Sequence, residues 1–390
     1  MAEVNRPQSA GARRPSVLIV SNGHGEDAVG MALADHLAPE AAITAFPLVG
    51  VGGAYHGVEL LEPRQTLPSG GFALRGAWRA LMEDLRAGAV RRWLAQRATL
   101  RDQQGRHRVI VAIGDVYGLW MAAAAGRPVV FIATAKSQHN EPHRALERAQ
   151  LRSLAQVIFP RDELTAQTLR RAGLPARYVG NPLMDTIGAV QTSLKADPTQ
   201  PTVAILPGSR ADADVNLGPL LSMCAQIGAR QRVHFVCALA PTIDLARVRA
   251  AASATGWEID GDGLRRDGIT VTLTRAFGDA IRAAGVVVGL AGTANEQAAG
   301  LGRPVVTFVG PGAQVSPHFV ALQQRLLGEA LIVARGWQDA AEAVVRLLGN
   351  PAERAARGAI GRERMGEPGA VPRIAHAVLD LVNRPTDSRT

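Results

Sequence analysis

A repeated alternation of short apolar strands and Ala/Leu-rich helical segments most constrains how this chain folds. The first unit is the run Val17–Val20, followed by turn residues and a helical stretch to about Leu37. Strands that are apolar throughout and alternate with helices are typical of parallel sheets buried on both faces. The later strands are predicted near Ala45 and at Val109–Ile113, Val129–Ile132, Gln156–Phe159, Arg177–Val179, Val203–Leu206, Val233–Leu239, Ile269–Leu273, Val286–Leu290 and Val305–Phe308.

The polar stretch Gln191–Pro201 interrupts this pattern and predicts a linker between two doubly wound α/β domains. After a helix ending near Arg364, the break Gly366–Gly369 precedes one more amphipathic helix, which we expect to cross back onto the first domain. The predicted division is a disordered tail at 1–15, domains at 16–187 and 202–366, a linker at 188–201 and the returning helix within 367–390.

Composition limits the class of protein. The chain has 390 residues, and its apolar runs, such as Val286–Ala291, are far shorter than the roughly 20 residues of a membrane span. Its first residues lack the apolar stretch of a signal peptide, so we expect a cytoplasmic protein. Cys224 and Cys237 are too few for a disulfide framework or a cysteine-based zinc site.

The net charge of +9 raises the alternative of a nucleic-acid binder. However, 41 of the 43 basic residues are Arg, and the segment 64–108 alone carries ten Arg against three acidic residues. The aromatic content is 4%, which leaves few rings for base stacking. With no recognised nucleic-acid module, we predict no nucleic-acid partner.

The loop after the first strand is the first candidate site, because ligands bind at the carboxyl ends of strands in parallel sheets. Gly23 and Gly25 permit a tight turn, and His24, Glu26 and Asp27 are candidate bases. A dinucleotide site is the rival interpretation, but Gly30 comes too late for the usual fingerprint, and the second strand does not end in an acid. A tight turn with capping carboxylates is the structural alternative.

Asp115 follows the strand Val109–Ile113 and lies between Gly114 and Gly118. A carboxylate there is placed to accept a proton. The alternative role, an N-cap for the next helix, is equally compatible with the sequence.

The second predicted domain opens with a strand that ends in Gly208, Ser209 and Arg210, a turn suited to a diphosphate. The Gly-Lys-Ser/Thr ending of a Walker loop is absent. Asp212 and Asp214 resemble a metal-binding pair, but solvated turn carboxylates are the simpler interpretation, and we predict no metal.

The segment from Ala291 to Val306, AGTANEQAAGLGRPVV, ends a strand, begins a helix and leads into the next strand. A helix N-terminus at this position favours an anion.

Three motifs together resemble the lipid-A-disaccharide synthases: LPGSR at Leu206–Arg210, the segment Ala291–Val306, and VGNPLMD at Val179–Asp185. Their order and spacing match across roughly residues 16–350. The resemblance implies a GT-B glycosyltransferase with two facing Rossmann-like domains. It implies a UDP-sugar donor held mainly by the second domain, an acceptor bound by the first, and no metal or bound cofactor.

Positions carried over from the resemblance form the predicted donor site. Ser209 and Arg210 would contact the diphosphate, and the helix start would cradle it. Gln297 stands where such enzymes usually carry a ribose-binding Glu, with Glu296 one residue earlier, which leaves the donor's identity open. The predicted donor residues are Gly208, Ser209, Arg210, Gly292, Thr293, Ala294, Asn295, Glu296 and Gln297.

The first loop departs from the family. The family has a GEASGD-like turn, whereas this chain has SNGHGED, so the acceptor can differ from the lipid A precursor. The chain is thus predicted to be a related branch of the family. The predicted acceptor-binding residues are Asn22, Gly23 and Asp27.

An apolar stripe flanked by Arg lies in the Arg-rich segment. Its helical spacing is typical of an interfacial helix on anionic lipid, and an ordinary surface helix is the equal alternative. This would make the protein peripheral on the inner face of the plasma membrane, with a lipid acceptor. The predicted membrane residues are Phe72, Leu74, Arg75, Trp78, Arg79, Leu81 and Met82.

The predicted reaction is an inverting transfer in which Asp115, or else His24 or Glu26, deprotonates the acceptor hydroxyl. A UDP-sugar 2-epimerase on the same fold is the alternative, since it needs acid and base groups but no acceptor. The sequence leaves the donor sugar, the acceptor, the anomeric outcome and the oligomeric state open.

Overall fold

The structure, a computed structural model, describes residues 14–64, 89–188, 190, 194, 199–208, 213–312 and 315–384. Within these residues the chain forms two separate sheets. The predicted linker 188–201 and tail 1–15 lie largely outside the described residues, so the domain limits stay predictions.

The first sheet has six parallel strands in the order β3-β2-β1-β4-β5-β6. Its helices connect consecutive strands, as the alternating pattern predicts. The elements are β1 (Ser16–Ser21), α1 (His24–Leu37), β2 (Ala42–Pro47), β3 (Glu59–Leu60), α2 (Ala89–Asp102), β4 (Val109–Ile113), α3 (Val116–Ala122), β5 (Val129–Ala133), α4 (Ala145–Leu154), β6 (Val157–Pro160) and α5 (Glu163–Arg171).

The second sheet has eight strands in the order β14-β13-β12-β7-β8-β11-β10-β9, and only β10 runs antiparallel to its neighbours. Its elements are β7 (Thr202–Leu206), α6 (Ala213–Gly228), β8 (His234–Ala238), α7 (Leu245–Ser253), β9 (Glu258–Asp260), β10 (Gly263–Arg266), β11 (Ile269–Thr274), α8 (Phe277–Ala283), β12 (Val286–Gly289), α9 (Thr293–Gly300), β13 (Val305–Phe308), α10 (Pro317–Leu327), β14 (Leu331–Ala334) and α11 (Trp337–Gly349).

Each sheet is buried on both faces, which explains why its strands are apolar throughout. In β1, Val17 and Ile19 pack into one core and Leu18 and Val20 into another, all with 0% of their surface exposed. Successive side chains of a strand point to opposite faces. A strand between two helix layers therefore has no polar face.

The last two helices among the described residues are α12 (Pro351–Met365) and α13 (Ala370–Val382). The apolar face of α13 packs against the first sheet, where Val371, Ile374 and Val378 share a core with Val17 and Ile19. The prediction that the last helix returns to the first domain is confirmed.

The chain passes between the sheets twice, in the 3-10 segment Pro182–Ile187 and again at Gly366–Gly369. The Asp185 carboxylate joins the two crossings, because it accepts hydrogen bonds from the backbone N–H of Gly369 and, at 2.7 Å, of Val371. Asp185 thereby satisfies amides at the start of α13 that lack helical partners.

The strand predicted at Arg177–Val179 is wrong. Only Ala176 forms a parallel bridge, to Ile158, before the chain leaves the edge of the sheet. After this bridge the N–H of Arg177 donates to the carbonyl oxygen of Ile158, and Asn181 already leads into the first crossing. The antiparallel strands β9 and β10 and the edge strand β14 were not predicted.

None of the helices in the described ranges combines the length and the apolar character that a membrane span needs.

Candidate active site

The first candidate site lies where the strand order of the first sheet reverses, between the carboxyl ends of β1 and β4. Open α/β sheets bind ligands at such switch points. Asn22 directly follows β1, and its Nδ2 donates a 2.7 Å hydrogen bond to Oδ1 of Asp115, which follows β4. The same carboxylate oxygen accepts from the N–H of Gly118 at 2.9 Å. Asp115 therefore caps α3, one of the two roles that the sequence left open, and its position at the switch point keeps it a candidate proton acceptor.

Gly114 makes this approach of the two loops possible. Its φ is 131°, a conformation that side chains disfavour, and a Cβ there would lie 3.1 Å from the Cβ of Asn22. A larger residue would separate Asn22 from Asp115.

Glu26, in the first turn of α1, is the second carboxyl group of this site. Its Oε1 accepts a 2.9 Å hydrogen bond from the hydroxyl of Thr134, which follows β5. Burial raises the pKa of Glu26, and the charge of Asp115 raises it further. A carboxyl group whose pKa is raised is a candidate for proton transfer.

The other predicted residues of the first loop are placed differently. His24 is exposed, and its ring lies against Gly50, where a Cβ would be 2.7 Å from Cε1. Gly23 precedes α1 in an extended conformation.

Asp27 is 1% exposed and accepts a 2.6 Å hydrogen bond from Ser21, whose oxygen also accepts one from the Tyr55 hydroxyl. Burial is the main cause that raises the pKa of Asp27 to about 7. Because its side chain faces the core, we withdraw Asp27 as an acceptor contact.

The second candidate site lies at the corresponding switch point of the other sheet, between β7 and β12. Gly208 follows β7 with a φ of 106°, and a Cβ there would lie 3.0 Å from the carbonyl oxygen of Leu290. Ser209 and Arg210 lie outside the described residues. The predicted membrane residues, from Phe72 to Met82, lie outside them as well.

The turn before α9 is held from behind by buried amides. Asn295, 0% exposed, donates to the carbonyl oxygen of Gly289 at 3.1 Å and to Oε1 of Gln323 at 2.9 Å. Gln323 in turn donates to the carbonyl oxygens of Ala291 and Gly292 at 3.1 and 3.2 Å. The Asn295 side chain therefore supports the turn, and we withdraw it as a donor contact.

Gln297 is also directed away from a ligand. Its Nε2 donates to the carbonyl oxygen of Leu183 at 2.8 Å and to the hydroxyl of Thr186 at 2.9 Å, both in the first crossing segment. In this structure Gln297 joins α9 to the crossing segment and is not positioned to bind ribose.

Glu296 forms an ion pair with Arg161 of the first sheet, with 2.6 Å between Oε2 and Nη2. Arg161 and Thr134 are functional candidates that the sequence analysis missed. Both directly follow strands, Arg161 after β6 and Thr134 after β5, so the rule that selected Asp115 would have found them.

The starts of α1 and α9 lie against each other. A Cβ on Gly25 would lie 3.6 Å from Oγ1 of Thr293. The first amides of a helix have no intrahelical acceptor and carry its positive dipole end. The carboxyl pair Asp115 and Glu26 therefore lies close to a helix start that is suited to an anion.

Comparisons with known proteins agree with this architecture. The chain resembles the calicheamicin glycosyltransferase CalG4 with a TM-score of 0.62 and 16% identity, covering 96% of this chain and all of the other. It resembles MurG of Acinetobacter baumannii with a TM-score of 0.57 and 13% identity, covering 94% and 99%. A putative UDP-N-acetylglucosamine 2-epimerase of Listeria monocytogenes gives 0.58 at 14% identity, covering 94% and 96%. The fold is that of the GT-B glycosyltransferases.

The sequence comparisons define the family, although no family model matches the chain. The lipid-A-disaccharide synthase of Thiobacillus denitrificans is 30% identical over 276 residues, which is 68% of each chain. That of Anaeromyxobacter dehalogenans is 27% identical over 372 residues, covering 87% of this chain and 90% of the other. The chain belongs to the lipid-A-disaccharide synthase family and is a hexosyltransferase.

Proposed function

We propose that this glycosyltransferase moves a hexose, of the GlcNAc type or another, from a UDP-sugar to a lipid or lipid-linked acceptor at the inner face of the plasma membrane. The observation that carries the proposal is that two different structural features lie close together. A carboxyl pair lies at the switch point of the first sheet, and the start of α9 faces it from the second.

In the proposed reaction, the pair Asp115 and Glu26 receives the proton of the acceptor hydroxyl. Asp115 is the first candidate, because its Oδ1 is held by Asn22 and Gly118 while its other oxygen can face the acceptor. The acceptor oxygen attacks C1 of the donor sugar as the bond to the diphosphate breaks. The amides of Thr293 and Ala294, with Gly208, Ser209 and Arg210, stabilise the departing diphosphate.

The lipid acceptor is supported by an aromatic cluster beside α3. The rings of Trp93 and Trp120 stack with 5.9 Å between centroids, and Arg97 lies 3.9 Å from the centroid of Trp120. Trp and Arg side chains are common where proteins meet a lipid surface. Trp93 belongs to α2, which begins at Ala89, seven positions after the last predicted membrane residue, Met82.

The first experiment measures binding of UDP, UDP-GlcNAc and UDP-glucose by calorimetry, with Arg210→Ala as the test variant. Arg346→Ala is the matched control, because Arg346 is an exposed arginine of the same sheet's outer helix. We expect micromolar binding that only Arg210→Ala weakens. If no UDP compound binds the wild-type protein, the proposed donor is wrong.

The second experiment supplies the bound donor with and without vesicles that contain glycolipid acceptors and anionic lipid. Transfer that depends on vesicles supports the proposal. Conversion of the donor without an acceptor would instead identify an epimerase, an activity for which the fold likeness to epimerases is no evidence by itself.

A further inference from the structure

Arg161 is a buried cation between the two candidate sites. Its side chain is 6% exposed, and its partner Glu296 lies in the first turn of α9 with 15% of its side chain exposed. The residues come from different sheets, 135 positions apart in the chain. A buried ion pair is strongly weakened when one partner is removed, because the other charge is left uncompensated.

The same guanidinium also contacts the first site. Its Nη1 donates a 3.0 Å hydrogen bond to the carbonyl oxygen of Thr134, and the Thr134 hydroxyl donates to Glu26 at 2.9 Å. Glu296, Arg161, Thr134 and Glu26 therefore form one connected series of contacts. It runs from the start of α9 to the carboxyl pair.

The charge of Arg161 acts at both ends of this series. At α9 it compensates the carboxylate of Glu296, whose negative charge would otherwise oppose an anion at the helix start. At α1 it favours the ionised form of Glu26, against burial and Asp115.

We propose that Arg161 is a positioning residue for the transfer reaction, holding the start of α9 and Glu26 in the arrangement in which donor and carboxyl pair face each other. This inference rests on the proposed function. Arg161 touches neither substrate in this scheme and acts through Glu296 and Thr134.

Four ionisable groups interact with Glu26. Asp115 lies at the start of α3, Arg161 follows β6, and Asp27 and Tyr55 interact with Glu26 from the core side of α1. The hydrogen bond from Thr134 lowers the pKa of Glu26, and among the charged groups only Arg161 favours the ionised form. Removal of Arg161 therefore raises the pKa of Glu26. As the pH falls, activity that needs the ionised pair is then lost at a higher pH than in the wild type.

The test compares Arg161→Gln and Arg161→Lys in the full chain. The matched control is Arg170→Gln, which removes an ion pair of the same 2.6 Å length within α5, where both side chains are 44% exposed. Each variant is assayed for donor KM, kcat and the pH dependence of kcat/KM. Thermal unfolding is recorded alongside.

We expect Arg161→Gln to lower kcat/KM by roughly tenfold to a hundredfold, since small misplacements of reacting groups have effects of that size. The acid limb of its pH profile should move to higher pH. Arg161→Lys should restore the limb, because it keeps the charge, but only part of the rate, because it lacks the two-pronged geometry. Arg170→Gln should match wild type.

A second readout separates failure of this inference from failure of the proposed function. Carboxyl ¹³C shifts of Glu26, assigned with Glu26→Gln, follow its titration without any substrate. A wild-type protein that neither binds UDP-sugars nor transfers hexose refutes the proposed function, yet the midpoint should still rise in Arg161→Gln. An unchanged midpoint, or a folded Arg161→Gln enzyme with the wild-type pH profile, overturns the role of Arg161.

Discussion

The two sheets use the same topological position in opposite ways. At the switch point of the first sheet, side chains enter the cleft: Asn22, Glu26 and Asp115 contact one another or Thr134 there. At the switch point of the second, Asn295 turns its side chain inward. We call the carboxyl ends of the strands at the two switch points the first edge and the second edge. The first edge is thus suited to move a proton. The second edge is suited to present backbone amides to an anion.

This comparison implies that substitutions at the first edge should change rates and those at the second should change donor affinity. The largest expected effect is that of Asp115→Asn. Asn is also a good N-cap, so α3 should persist, while loss of the proton acceptor should reduce kcat by about 10²–10⁴-fold.

Calorimetric affinity for the donor nucleotide should stay unchanged in Asp115→Asn. Asp244→Asn is the control, because Asp244 caps α7 by the same type of bond, to the N–H of Ala246. Full turnover in a folded Asp115→Asn enzyme would assign the role of base to Glu26 or His24 instead.

Asn295→Ala tests the second edge. It removes the hydrogen bonds to Gly289 and Gln323 from a fully buried site, where an unpaired group costs about 1–3 kcal/mol. We expect lower stability together with weaker donor binding, and little change in kcat at saturating donor. Calorimetry measures donor affinity, and steady-state kinetics measures kcat. A loss confined to kcat would contradict the division between the edges.

Gly114→Ala examines how closely the loops of the first edge must approach. The positive φ and the nearness of Asn22 should destabilise the fold by about 1–3 kcal/mol and lower kcat. Gly105→Ala is the matched control, since Gly105 also has a positive φ but a Cβ there would meet nothing within 4 Å. Equal effects on kcat in the two variants would show that strain alone, without contact to Asn22, is responsible.

Asp27→Asn should have the smallest effect, and it should raise the free energy of unfolding where the preceding two variants lower it. The pKa of Asp27 is raised to about 7 in the folded state, so the folded protein binds more protons than the unfolded chain between about pH 4 and 7. Stability therefore falls as pH rises through that window and levels off above it.

The neutral Asn avoids the burial of a charge, so urea unfolding at pH 8 should show a gain of about 1 kcal/mol over wild type. The gain should vanish near pH 4. Lower stability of Asp27→Asn at both pH values would mean that the hydrogen bond from Ser21 needs a carboxyl group in either ionisation state.

Much of this fold follows from the sequence, because apolar runs such as Val109–Ile113 occur only where both faces of a strand are covered. The location of Asp115 also follows from the sequence, because the carboxyl end of a strand is a position that the sheet topology defines. Side-chain direction was harder to predict. Asn295 and Gln297 belong to a motif at the candidate donor site, but whether a helix residue faces that site or the core depends on packing partners distant in sequence, such as Gln323 and Leu183. The Arg161–Glu296 pair depends on how the two sheets meet, which no local pattern encodes.

The return of α13 to the first sheet has a consequence for biosynthesis. Val17 and Ile19 are made early, yet the residues that cover them, among them Ile374 and Val378, leave the ribosome some 350 residues later. Until then the nascent amino-terminal half exposes an apolar face, which is the kind of surface that chaperones bind and that aggregates. We therefore expect the first half to mature only after translation has passed residue 382, and a chain cut before Ala370 to be captured by chaperones.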